Sequence, residues 1–190
     1  VHGSRGLGDV YKRQIKDNCI NPNYQNLLES TMRYDTDFRW VYHDNLSEDG
    51  ESQLVGFSHM FILNGNSTSK YSGMFLPLVF EACHNTGISI SKVIRGRCFL
   101  QTPGVRTKEY DSMHVDLPDP HLVCLYYASD SDGDTYFSER MYGEPLAEYP
   151  INSTVSPVKG RCVFFDGLRY HSSSVPTKKP RFVINFNFLP

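Results

Sequence analysis

No stretch of this 190-residue chain stays apolar for the roughly 20 residues that a bilayer crossing requires. Its N-terminus lacks the apolar core of a secretory signal, so the chain reads as soluble, intracellular and cytoplasmic. Charge of one sign is also missing. Lys and Arg total 19 against 21 Asp and Glu, a net charge of -2, which gives no global pull toward nucleic acid or an anionic membrane. Cysteine is sparse and scattered, at Cys19, Cys83, Cys98, Cys124 and Cys162, with no C-x-x-C pair. Zinc binding and thiol exchange are therefore not indicated, and reduced, buried thiols are expected. There is no H-E-x-x-H helix for a zinc protease, no G-x-S-x-G for a serine hydrolase and no Walker lysine for a nucleotidase. The run Asp130 to Asp134 is no calcium loop either: its glycine is misplaced, and Met141 stands where a glutamate ligand belongs.

The length suits one domain around one core. Residues 1–14 are rich in glycine and basic residues and show no hydrophobic period, so they read as a tail or scar preceding a single domain over 15–190. Asn21 followed by Pro22 predicts a helix start, running through Leu27 and Leu28 toward Met32. Phe38 to His43 and Val55 to Leu63 read as strands. Phe75, Leu78, Val79 and Ala82 recur at helical spacing within Ser72 to Asn85, with Gly87 placed to end that helix.

Beyond Gly87 the pattern turns to short apolar runs separated by Gly, Pro, Asp and Ser. Strands are expected over Ile90 to Gln101, around Met113 to Asp116, and over Leu122 to Ala128, Thr135 to Phe137, Arg161 to Phe165 and Arg181 to Leu189. Asp132-Gly133 reads as the turn of a hairpin. Helices first and many short strands after predict a mainly β (α+β) fold: a jelly-roll, cupin-like barrel, or double-stranded β-helix, with supporting N-terminal helices. In the last strand Phe182, Ile184, Phe186 and Phe188 share one face, a seat for the helices. Arg181, Val183, Asn185 and Asn187 share the other, which then turns into the barrel.

His114-Val115-Asp116 places an imidazole and a carboxylate at i and i+2, on one face of an extended segment. His171 offers a third ligand, after an apolar strand and a turn at Gly167. Two histidines and one carboxylate on one face of a cation leave three positions for exogenous ligands, which suits Fe(II) that must hold a chelating cosubstrate and oxygen. Ten residues later Arg181 opens the final strand and is expected to lie beside the His171 strand, pointing inward. A buried guanidinium calls for an anionic partner, and a carboxylate fits it bidentately. His2, His43, His59, His84 and His121 have no partner pattern and are assigned to surface or satisfied core positions.

Taken together, these pieces resemble the 2-oxoglutarate/Fe(II) oxygenase superfamily, most closely its prolyl-hydroxylase-like branch of marine phage or bacterial type. The resemblance rests on His114-Val115-Asp116, the strand Leu122 to Tyr127, the turn Asp132-Gly133-Asp134-Thr135 before Tyr136-Phe137, Pro157 to Arg161 leading into Val163-Phe164-Phe165, then His171 and Arg181. Phe38-Arg39-Trp40 and Gly56-Phe57-Ser58-His59 match more loosely. The resemblance implies a catalytic core over about 90–190, iron on His114, Asp116 and His171, and the distal carboxylate of 2-oxoglutarate on Arg181. Tyr127 would hydrogen-bond the same carboxylate, with adjacent Tyr126 the inward residue under a one-residue slip of register.

The implied cofactors are Fe(II), 2-oxoglutarate and O2, with ascorbate as an auxiliary reductant. The implied reaction is hydroxylation of a C–H bond coupled to decarboxylation of 2-oxoglutarate to succinate. A protein or peptide side chain such as proline is the first substrate class, and a free amino acid, a small metabolite or a nucleic-acid base the second. A non-catalytic cupin-like metal-binding module is the reading from another class. Pro103 to Ser112 and Met141 to Ser156, with Tyr110, Tyr142, Glu144, Glu148 and Tyr149, are the candidate lids.

Overall fold

The computed structural model describes residues 13–46, 55–144 and 148–190. Its elements are β1 (Gln14–Lys16), α1 (Pro22–Tyr34), β2 (Val41–His43), β3 (Gly56–Leu63), β4 (Asn66–Ser67), α2 (Ser72–Thr86), β5 (Lys92–Gln101), β6 (Leu122–Tyr127), β7 (Thr135–Met141), β8 (Ile151–Val155), β9 (Cys162–Asp166), β10 (Arg169–Ser173) and β11 (Arg181–Leu189). The tail expected over 1–14 overlaps β1 at Gln14, which pairs with Phe164; residues 1–12 lie outside the described residues.

All pairings are antiparallel. A major sheet runs β1-β9-β6-β11-β5-β3-β2 with β4 added on β3, and a minor sheet runs β10-β7-β8. The two sheets form a jelly-roll, the double-stranded β-helix, with both helices on the outer face of the major sheet.

Local chemistry explains the helices. Asn21 accepts a hydrogen bond from the Asn23 backbone N–H at 2.9 Å, and Pro22 fills the first turn, where no donor is needed. Gly87 closes α2 at φ 71°, a left-handed conformation that glycine adopts without a Cβ penalty. Leu28 and Met32 of α1 and Phe75, Leu78, Val79 and Ala82 of α2 pack with Phe182, Ile184, Phe186 and Phe188 of β11 into one core. The second core lies between the sheets and holds Val123, Leu125, Tyr127, Phe137, Val163, Phe165 and Val183. The period-two alternation of β11 thus separates two interiors, and Tyr126 faces the helices while Tyr127 faces the barrel.

Three expectations are corrected. Met113 to Asp116 forms no strand; a single antiparallel bridge joins His114 to His171. Asp132-Gly133 turns no hairpin, because β6 belongs to the major sheet and β7 to the minor one, so the chain crosses between sheets there. Likewise β10 and β11 are not neighbours: His171 lies in the minor sheet, and Arg181 opens a strand of the major sheet between β5 and β6.

The cysteine reading is corrected as well. Cys83, Cys98 and Cys124 are free and buried, but Cys19 and Cys162 form a disulfide. Docking of β1 on β9 sets Lys16 opposite Cys162 and brings the two Cα atoms to 6.0 Å, across 143 residues of chain. No sequence spacing encodes that contact. Neither described helix is long and apolar enough to cross a membrane.

Candidate metal and cosubstrate centre

The bridge between His114 and His171 is the local device that builds the centre. Each residue donates its backbone N–H to the other's carbonyl at 3.0 Å, which holds the two rings at a centroid distance of 4.7 Å. Asp116 follows two residues after His114. Ligand atoms of His114, Asp116 and His171 all lie within 4.8 Å of one another.

The donor set fits a cation. Nδ1 of His114 faces the Ser112 carbonyl at 3.2 Å and Nδ1 of His171 faces the Arg169 carbonyl at 3.1 Å. A carbonyl only accepts, so both Nδ1 atoms carry the proton and both Nε2 lone pairs are left for a metal. Burial, with the neighbouring His114, pushes the His171 imidazole down to about 4, so its ring is neutral near pH 7. Its walls are Phe165, at a ring distance of 4.9 Å, and Phe137 at 6.4 Å.

The Asp116 side chain is 3% exposed. Burial alone would raise its carboxyl, but electrostatic interaction with His171, Arg95, Arg97 and His114 outweighs burial and holds it well below the ordinary carboxylate range. Asn185 and Asn187 both donate to its Oδ2, at 2.9 and 2.8 Å. An ionised carboxylate beside two imidazoles is ready-made for a divalent cation.

The triad opens into a cavity of about 410 Å³. Arg181, 5% exposed, lines it, donating to Gln101 Oε1 at 3.2 Å and Thr135 Oγ1 at 2.9 Å, both also on the wall. Its Nε is buried and has no partner among the described residues. Gln101 and Thr135 are neutral, so the guanidinium charge is solvated by dipoles but not neutralised by them, as an anion site requires.

Tyr127 stands behind this group. Its hydroxyl and Thr135 Oγ1 are 2.6 Å apart, the Arg181 guanidinium lies 5.6 Å from its ring, and the residue is absent from the cavity wall. Thr135 thus contacts both the Tyr127 hydroxyl and the Arg181 guanidinium, and burial raises the Tyr127 phenol.

Of the candidate lids, Tyr142 and Tyr149 reach the cavity together with Tyr170, whereas Tyr110 packs on Tyr136 instead. Residues 145–147 lie outside the described residues. His43 and His59 are engaged elsewhere, by Ser58 and by Ser69 with the Arg39 carbonyl. The residues that sequence reasoning missed are Gln101, Thr135, Arg95 and the two asparagines. Only Asn185 and Asn187 left a signal, as polar residues on the inward face of an otherwise apolar strand.

No protein-family model and no curated protein matches the chain. Solved structures do. A prolyl-4-hydroxylase from Pseudomonas putida superposes with a TM-score of 0.62 at 14% identity, covering 96% of this chain and 95% of that one. An oxidoreductase of the 2OG-Fe(II) oxygenase family from Burkholderia pseudomallei gives 0.67 at 10% identity, over 93% and 84%. HygX from Streptomyces hygroscopicus, solved with nickel and 2-oxoglutarate bound, gives 0.63 at 12% identity, over 96% and 84%. At these identities the likeness establishes the fold.

Proposed function

We propose that this chain is a 2-oxoglutarate- and Fe(II)-dependent oxygenase of the prolyl-hydroxylase-like branch that hydroxylates a C–H bond. His114, Asp116 and His171 would hold the iron, which with 2-oxoglutarate and O2 supplies the oxidising power for that hydroxylation. The observation that carries the reading is the pairing of two features in one cavity: three ligand atoms within 4.8 Å of one another, and a buried guanidinium on the same wall whose hydrogen-bond acceptors, Gln101 and Thr135, are neutral. Arg181 and Asn185 stand four residues apart on one face of β11, roughly 13 Å of strand. An arginine side chain and a five-carbon diacid span that distance. Arg181, backed by Thr135, Gln101 and Tyr127, anchors the far carboxylate of the cosubstrate and orients its other end toward the triad. Phe137 and Phe165 keep water from the rear of His171.

A protein or peptide side chain, proline first, is the substrate class we infer, supported by the near end-to-end likeness to the P. putida prolyl-4-hydroxylase. A small metabolite is the second reading, favoured by the cavity volume of about 410 Å³, which lies within the range of small-molecule sites.

Two variants test the chemistry. Anaerobic Fe(II) and 2-oxoglutarate should give a charge-transfer absorption, and succinate should form once oxygen is admitted; Asp116→Ala should abolish both. Absence of both signals from the unaltered protein would leave a cupin-like binding module. Arg181→Ala should weaken 2-oxoglutarate binding at least about a hundredfold while metal binding persists, the cost of removing one partner of a buried charge pair. Unchanged cosubstrate affinity would refute the role of Arg181. A screen of peptides, amino acids and small metabolites for stimulated succinate release then separates the two substrate readings.

A further inference from the structure

Asp116 is held by more than the loop that carries it. We infer that Asn185 and Asn187 act as a clamp on Asp116, holding its carboxylate in the orientation that presents it to a cation beside the two imidazoles. This inference rests on the proposed metal site and assigns positioning roles to the two asparagines.

The clamp is built from strand register. In the β5–β11 ladder Asn185 pairs with Arg97 and Asn187 pairs with Arg95, so all four side chains project to the barrel side. Both amides reach Asp116 Oδ2, at 2.9 and 2.8 Å.

The orientation of Asn187 is dictated from behind. Arg95 donates its Nε to Asn187 Oδ1 at 2.8 Å, which fixes the amide oxygen on the arginine and turns the NH2 to the carboxylate. Arg95 also donates from Nη2 to the Asp116 backbone carbonyl at 3.0 Å, so one guanidinium holds both the amide and the main chain of the residue it orients. Among the described residues the Oδ1 of Asn185 is buried without a hydrogen bond. Its donor faces Oδ2 because the reverse orientation would set an oxygen against a carboxylate.

A carboxylate oxygen accepts about two hydrogen bonds in its plane, and two amides fill Oδ2. Oδ1 is held as well, 3.3 Å from Arg95 Nη2 and 3.7 Å from Arg97 Nη2, so contacts to both oxygens fix the carboxylate in one orientation. The chemical consequence concerns readiness: a carboxylate already fixed beside the two imidazoles meets a cation without reorganising.

The clamp can be broken without disturbing any ligand. Asn185 borders the cavity, so Asn185→Ala truncates into space that is already open. Asn185→Asp and Asn187→Asp keep the shape but replace the donor by an acceptor. With Co(II) as the probe in oxygen-free solution, both Asp variants should bind 10- to 100-fold more weakly, the usual cost of losing a partner of a metal ligand. Asn185→Ala with Asn187→Ala should change the visible Co(II) spectrum and lower 2-oxoglutarate affinity of the loaded protein, with Arg181 untouched. Thermal unfolding of the metal-free variants identifies any that fail to fold, and Asn185→Ala alone then decides.

Co(II) affinity and spectrum within twofold of the unaltered protein in the folded variants would overturn the clamp and leave the metal site standing. Failure of the unaltered protein to bind Co(II), or binding unaffected by His114→Ala, would overturn the clamp and the proposed function together.

Discussion

His171 shows how one buried side chain sets a pH limit. Its folded-state value is pushed from the ordinary 6.5 to about 4 by burial and by His114. As pH falls below about 6.5, the unfolded chain takes up a proton that the folded ring refuses until about 4, so folding stability decreases across that window. The loss amounts to about 3 kcal/mol for a shift of this size. Asp116 acts in the same direction at lower pH, because its carboxyl is also held down in the folded state. We expect the denaturation midpoint of the metal-free protein to drop between pH 6.5 and 4, and His171→Gln to flatten that slope. Parallel slopes in the two proteins would contradict it. At this scale much was legible: an i, i+2 His–Asp pair and an arginine opening an amphipathic strand are local facts. The contact of the Tyr127 hydroxyl with Thr135 was not legible, because which group a buried hydroxyl meets depends on a neighbour from another strand.

The segment from Ser129 to Thr135 decides how two elements meet. It carries the chain from the major sheet into the minor one, and Asp132 secures the crossing by accepting the backbone N–H groups of Thr177, Lys178 and Lys179. Desolvation alone would raise its carboxyl, but the hydrogen bond from the Thr177 hydroxyl and those backbone bonds hold it well below the ordinary range, and they fix the loop that delivers Arg181. Gly133 is needed there for proximity. A Cβ on it would come within 2.9 Å of the Ser174 carbonyl oxygen and 3.1 Å of Arg181 Cδ. Gly133→Ala should therefore cost about 1–3 kcal/mol by overpacking and weaken 2-oxoglutarate binding by displacing the arginine stem. Isothermal titration alongside thermal unfolding checks both, and a stable variant with unaltered cosubstrate affinity would refute the coupling. The dipeptide Asp-Gly was visible in sequence, but its role was not, since a tight turn and a sheet crossing use the same residues.

Across the whole molecule, the Cys19–Cys162 disulfide ties the segment ahead of α1 to the start of β9, the strand on which β1 docks. Closing so long a loop restricts the unfolded chain, and its reduction should lower stability by about 2–5 kcal/mol. Cys19→Ser should reproduce that loss without added reductant; an unchanged unfolding midpoint in both experiments would show that the bond contributes nothing. The same sheet carries function on its inner face and helices on its outer face, so aromatic residues of β11 stabilise the seat from which Arg181, Asn185 and Asn187 reach inward.

Helix starts and stops, the two-faced alternation of β11 and the spacing of His114 to Asp116 were all present in the linear chain, because each follows from backbone period or from groups a few residues apart. The meeting of His171 with His114, the crossing at Gly133, the disulfide and the two amides on Asp116 were decided only on folding. Each of these is a contact between groups far apart in the chain, and strand register, which residue types alone do not specify, determines who meets whom.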